Sequence, residues 1–188
     1  MTDDVADFRV VGSETLVDAG FLSLSRVHVA ASDGEEFDRH VVHHPGAVVV
    51  VPVIGDGPRA VALLVRQWRV ATGRVLLEVP AGKRDVDGEP PDVTANRELE
   101  EEIGYHAGRL ELLCEFYNSP GFCDEYTYLF LATELETRAR GAVSAEEAAM
   151  SIERVPLSDV DALIRDRELV DAKSIIGLLL ARLHLADG

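Results

Sequence analysis

The run Ala47-Val48-Val49-Val50-Val51-Pro52-Val53 constrains the fold more than any other part of the chain. A continuous β-branched run with no polar alternation suits a strand covered on both faces, and turn residues Gly55-Asp56-Gly57-Pro58 close it. Layers must therefore lie on both sides of it. The run is interrupted by Pro52 and is far too short to span a bilayer. With 188 residues, 47% of them hydrophobic, the chain is large enough to enclose such a core.

Before this strand, residues 8–42 read as short strands. Phe21 to Val29 alternates at period two and Asp33-Gly34 marks a hairpin turn. After it come strands at Ala60 to Arg66 and Leu76 to Val79, then a helix from about Val93 to Ile103. Pro90-Pro91 precede that helix, Asp92 is its expected cap and Gly104 its stop. Strands at Leu110 to Phe116 and Tyr126 to Ala132 follow, then a long loop, Glu134 to Glu147. The tail from Leu157 to Leu185 reads as helix broken near Val170 to Ala172. Strands enclosing one helix, with a helical tail, give an α/β (α+β) sandwich rather than a regular βαβ array.

The formal charge of −16 excludes wrapping nucleic acid, which requires a basic surface. It leaves room for a small phosphorylated ligand, provided divalent cations separate the two sets of negative charge. Asp3, Asp4 and Asp7 give the opening segment the wrong charge for a secretory signal, and with no membrane span expected the reading is a cytoplasmic protein. Two cysteines, Cys114 and Cys123, make no disulfide framework and are expected to be reduced. His40, His43 and His44 form no zinc-ligand spacing with them.

The chemistry is concentrated in Arg97-Glu98-Leu99-Glu100-Glu101-Glu102-Ile103-Gly104. Glu98, Glu101 and Glu102 are spaced i, i+3 and i+4, so their carboxylates leave one side of the helix, beside an apolar stripe of Ala95, Leu99 and Ile103. Like charges so placed repel, and a hard cation with oxygen ligands, Mg²⁺ or Mn²⁺, removes the penalty. Arg97 can pair with Glu101 one turn on. Alone, such an acidic face would be ordinary solvent decoration.

The flanking residues change that weighting. From Gly82 through Glu89 to Tyr105 the chain resembles the Nudix box, G-x5-E-x7-R-E-U-x-E-E-x-G-U with U apolar, every fixed position after the first glycine being matched at the right spacing. There is one departure. Six residues rather than five separate Gly82 from Glu89, and the extra one falls in the Asp85-Val86-Asp87-Gly88 turn, which leaves the helix carboxylates undisturbed and the part played by Glu89 open. Outside the box, Leu77-Glu78-Val79-Pro80-Ala81-Gly82-Lys83, Arg66-Gln67-Trp68-Arg69 and Ser119-Pro120-Gly121-Phe122-Cys123-Asp124-Glu125 look like segments of the ADP-ribose pyrophosphatase branch. Pro120, fifteen residues past Tyr105, matches a proline that marks this branch.

The resemblance implies a Nudix α/β/α sandwich with a mixed sheet over residues 45–188. An N-terminal antiparallel β-section, residues 1–44, would be exchanged between the subunits of a homodimer. It implies Mg²⁺-dependent hydrolysis of the pyrophosphate of ADP-ribose, giving AMP and ribose 5-phosphate. Glu98, Glu101 and Glu102, with the carbonyl of Ala81, would be metal ligands, and Arg97 would hold a carboxylate in place. The general base would be Glu146, or else Glu147, on the long loop. Arg39, Arg69 and Pro120 are the candidate substrate contacts, whereas Trp68 is expected in the core. Hydrolysis of another nucleoside diphosphate derivative such as GDP-mannose, and a non-catalytic nucleotide-sugar sensor, stand as alternatives. Removal of oxidised nucleoside triphosphates is disfavoured by the Pro120 loop.

Overall fold

The computed structural model describes residues 8–141 and 145–187, except the side chains of Pro58, Ala145, Glu147 and Asp187. By its contacts the chain divides into two compact units, Met1–Gly46 with Tyr117–Tyr126, and Ala47–Phe116 with Thr127–Gly188.

The first unit is built on a three-stranded antiparallel sheet of β1 (Arg9–Asp18), β2 (Ser23–Ala30) and β3 (Glu36–His43), in that order. The hairpin read at Asp33-Gly34 joins β2 to β3, whose register runs from Ala30 opposite Glu36 to Ser23 opposite His43. β1 is exposed along most of its length, leaving Val10, Val11 and Val17 in solvent.

The second unit is a layered sandwich. Its strands are β4 (Ala47–Ile54), β5 (Val61–Arg69), β6 (Arg74–Glu78), β7 (Ala81–Lys83), β8 (Tyr105–Tyr117), β9 (Tyr126–Thr137) and β10 (Ser151–Pro156). The helices are α1 (Pro91–Ile103), a single turn α2 (Ala145–Ala148), α3 (Val160–Arg165) and α4 (Ala172–Asp187). Sheet order is β10-β5-β4-β9-β8, with β6 beside β5 and β7 beside β4. β4 lies parallel to β9 and antiparallel to β5 and β7, so the sheet is mixed.

The expected double burial of β4 is met residue by residue. Val48 and Val50 enter the cluster containing Ala95, Leu99 and Ile103 of α1, while Val49, Val51 and Val53 enter the one containing Leu178 and Ala181 of α4. Period-two alternation thus serves two helical layers at once. The packing against α4 is close: a Cβ on Gly177 would stand 2.8 Å from Val51 Cγ2. Pro52, which has no N–H to donate, falls between the residues of β4 that pair with β7 (Ala47 to Val49) and those that pair with β5 (Val53 and Ile54).

Two local expectations are corrected. Asp92 does not cap α1; the helix starts two residues earlier, with Pro90 at the cap and Pro91 at the first helical position, where its missing N–H costs nothing. Trp68 is 51% exposed rather than in the core. It lies opposite Val75 on the β5–β6 ribbon, past the short stretch of β5 that pairs with β4. Gly104 ends α1 as read, in the left-handed conformation. The break in the tail is the link between α3 and α4, and Asp171 closes it: its carboxylate accepts the Ser174 N–H at 2.9 Å and the Ser174 hydroxyl at 2.7 Å. No helix among the described residues is long and apolar enough to cross a membrane.

Candidate active site

β4 carries β7 on one edge, setting Val48 opposite Gly82 and Val49 opposite Ala81, and α1 packs over both strands. At this crossing the side chain of Glu98 lies directly on the backbone of Gly82. A Cβ there would sit 1.8 Å from the carboxyl carbon of Glu98 and 2.1 Å from one of its oxygens. Only glycine leaves room for that carboxylate.

Arg97 organises the acids around it. Its guanidinium donates to Glu98 at 2.8 Å, to Glu101 at 3.4 Å and to Glu89 at 3.2 Å, and reaches the Lys83 carbonyl at 3.4 Å. Glu89, left open by the longer loop, therefore belongs to the site: it accepts from Arg97 and from the Thr94 hydroxyl at 2.8 Å, and these contacts hold its carboxyl below its ordinary range. The extra residue is absorbed in the turn, where the Glu89 N–H donates to the Val86 carbonyl.

Glu98 is only 12% exposed, and burial, reinforced by Glu101 and Asp85 against the pull of Arg97, raises its carboxyl to about 7. Glu102 is more deeply buried and accepts the Ala81 N–H at 3.1 Å. Among the described residues no three acid, histidine or cysteine side chains converge as a ready metal cage. Glu98 is turned toward Arg97 and Glu102 toward Ala81. The donor set is nonetheless all oxygen and drawn from one helix side, which suits a hard divalent cation that keeps part of its water.

A further ion pair, with its acid buried, carries no signal in the sequence. Glu78 is almost wholly enclosed and takes both prongs of the Arg69 guanidinium, at 2.8 and 2.7 Å. That bond, with the charges of Glu78, Glu102 and Asp171, raises the Arg69 pKa despite burial, so Arg69 lies within the field of Glu102 on α1. Its side chain remains 37% exposed.

The structure thus brings Ala81, Arg97, Glu98, Glu101 and Glu102 together where β7 meets α1. Glu146 is exposed on α2, which packs against β5, and the Glu147 side chain lies outside the described ones. Arg39 and Pro120 both belong to the first unit. There Arg39 lies over the Phe37 ring, 4.2 Å from its centre.

The model of the NUDIX domain matches residues 43–175, most of the chain and all of the α1 site. The chain belongs to the Nudix family. An ADP-ribose pyrophosphatase of Bacillus subtilis (strain 168) is 37% identical over 88% of this chain and 88% of its own length. Another, from Mycobacterium tuberculosis, is 38% identical over 92% of this chain and 82% of its own. A protein named methanol dehydrogenase activator, from Bacillus methanolicus, is 31% identical over 95% of this chain and 94% of its own length. A crystal structure of an ADP compounds hydrolase superposes with a TM-score of 0.85 at 24% identity, covering 99% of this chain and 98% of that one, and so shares the Nudix fold described above.

Proposed function

We propose that the protein hydrolyses the pyrophosphate of ADP-ribose, giving AMP and ribose 5-phosphate, with Mg²⁺ as cofactor and Mn²⁺ as a substitute. The observation that carries the reading is the glycine-sized seat of Glu98 on Gly82, beside an Arg97 fork that fixes Glu89, Glu98 and Glu101. A surface acidic patch has no use for such tailoring. The choice of substrate is supported by the two ADP-ribose pyrophosphatases, which match along most of their length. Relatives named GDP-mannose pyrophosphatase are 31–33% identical over only 65–70% of this chain, which makes GDP-mannose the second reading.

A divalent cation, when bound, neutralises pyrophosphate oxygens and makes water easier to deprotonate. Glu98, Glu101 and Glu102, with the Ala81 carbonyl, would hold it. Arg97 keeps the Glu98 and Glu101 carboxylates from splaying, and the Ala81 N–H fixes Glu102. Glu146, or Glu147 beside it, would take the proton of the attacking water. Arg39, Arg69 and Pro120 would contact substrate, Arg69 with the edge of its guanidinium not engaged by Glu78. We further propose a cytoplasmic homodimer with residues 1–44 exchanged between subunits.

The test is product chromatography after incubation with ADP-ribose, GDP-mannose, NADH and nucleoside triphosphates in Mg²⁺. AMP formation with the highest kcat/KM on ADP-ribose is expected. A preference for GDP-mannose moves the substrate assignment, and tight binding of ADP-ribose without turnover moves the protein to the sensor class.

A further inference from the structure

A cluster of titratable groups lies where the end of β3 meets the segment Ser119–Glu125. The Asp124 carboxylate is gripped twice: one oxygen accepts from the His43 ring at 2.6 Å and the other accepts the His44 N–H at 2.8 Å. Val42 completes the junction, donating its N–H to the Phe122 carbonyl at 2.7 Å and accepting the Asp124 N–H at 3.1 Å. The segment itself is a tight turn, with the Phe122 and Cys123 N–H groups both donating to the Ser119 carbonyl and the Asn118 N–H to that of Glu125. Pro120 is at its tip. Partial burial works against the Asp124 charge, yet the contacts from His43 and His44 prevail and hold its carboxyl below the usual range.

We propose that His43 and Asp124 are positioning residues that lock the Pro120 turn into the shape required to receive the nucleoside diphosphate substrate. The proposal rests on the functional reading above, in which Pro120 contacts substrate. Both side chains are nearly half exposed, at 43% and 45%. Pairs that exposed contribute little to global stability, so this one does not serve to hold the fold. What it does restrict is the conformational freedom of a short turn, and a site that must first be ordered binds more weakly in proportion to the fraction of time it is ordered.

The experiment compares full-length wild type with His43→Ala, Asp124→Ala, the double variant and His43→Gln. Amide hydrogen exchange over residues 118–125 is measured without substrate, and steady-state kinetics are measured on ADP-ribose with Mg²⁺. Each alanine variant is expected to speed exchange in the turn and raise KM about tenfold, with kcat within about threefold, because only the ordered fraction changes. The double variant should be no worse than Asp124→Ala, which already loses both bonds, and His43→Gln, which keeps a donor, should recover much of the loss seen in His43→Ala. Unchanged exchange overturns the clamp. Faster exchange with unchanged KM overturns its role in substrate positioning. Absence of ADP-ribose turnover by the wild type is a failure of the functional reading instead, and exchange alone then decides whether His43 and Asp124 order the turn.

Discussion

At the scale of single residues, the sharpest consequence follows from Gly82. In Gly82→Ala the new methyl group would overlap the Glu98 carboxyl, and because that group ends a flexible side chain it can swing away at little structural cost. Expected are a near-normal melting temperature and a fall in kcat of about a hundredfold, since a displacement on the order of 1 Å at a site is that costly. Normal activity would show that Glu98 works from another position. Glu102→Gln should lower turnover by orders of magnitude with the fold intact, because an amide is a poor stand-in for a carboxylate ligand. Rates near wild type in Mg²⁺ would remove Glu102 from the ligand set. For the base, Glu146→Gln should reduce kcat with little change in substrate affinity while Glu147→Gln stays mild; the reverse ranking would transfer the role. The α1 acids were legible because a helical period fixes which side chains share a side, whatever the tertiary context. The Arg69–Glu78 pair was not, since it depends on how β5 and β6 are registered, with Val65 opposite Glu78. Glu89 had the signal of its place in the motif, but the longer turn hid whether it reached Arg97.

At the scale of elements, α4 is anchored by Asp171 at one end and by close packing along its length. Its Ser174 hydroxyl also accepts the buried Val79 N–H at 2.9 Å, tying the helix to the segment that leads into β7. Asp171 is largely enclosed. Burial alone would raise its carboxyl, but Lys173 at 2.8 Å and the Ser174 bonds outweigh it and bring the pKa below the ordinary value. A depressed folded-state value means that the contribution to stability is present above about pH 4, where an unfolded aspartate is ionised, and is lost as pH falls through the folded value. Asp171→Ala should therefore cost about 1–2 kcal/mol at neutral pH. The gap in melting temperature from wild type should narrow as the solution is made acidic, and a gap independent of pH would mean that the charge of Asp171 is not what matters. Element type was readable from apolar periodicity, and the ends were not. Asp92 and Pro91 both make good helix starts, and Pro91 prevailed because its fixed φ already fits the first turn. For Trp68, size argued for the core, but cover depends on how far β4 follows β5, and Val53 and Ile54 are its only paired residues there.

At the scale of the whole molecule, the proposed exchange of residues 1–44 makes subunit number part of the fold. Sedimentation should give the mass of a dimer, and deletion of residues 1–44 should leave an unstable or aggregating remainder, since on the exchanged arrangement apolar surface of the core strands would lose its cover. A well-behaved, active monomeric fragment would rule out the exchanged arrangement. The sandwich was foreseeable from the Ala47–Val53 run, whereas its parallel partner was not, because nothing local in β4 names a strand so distant in sequence. That distance has a kinetic meaning. β4 meets β9 with Ala47 opposite Thr127, a loop of roughly 80 residues that must close before the central strand gains its neighbour, and its entropic cost is met ahead of the reward. The Gly82–Glu98 contact spans a far shorter stretch lying wholly inside that loop. The β7–α1 unit that carries the proposed site can gather early, while the sheet that gives it permanence closes late, so the slow step of folding is expected to be the docking of β9 rather than the assembly of that unit.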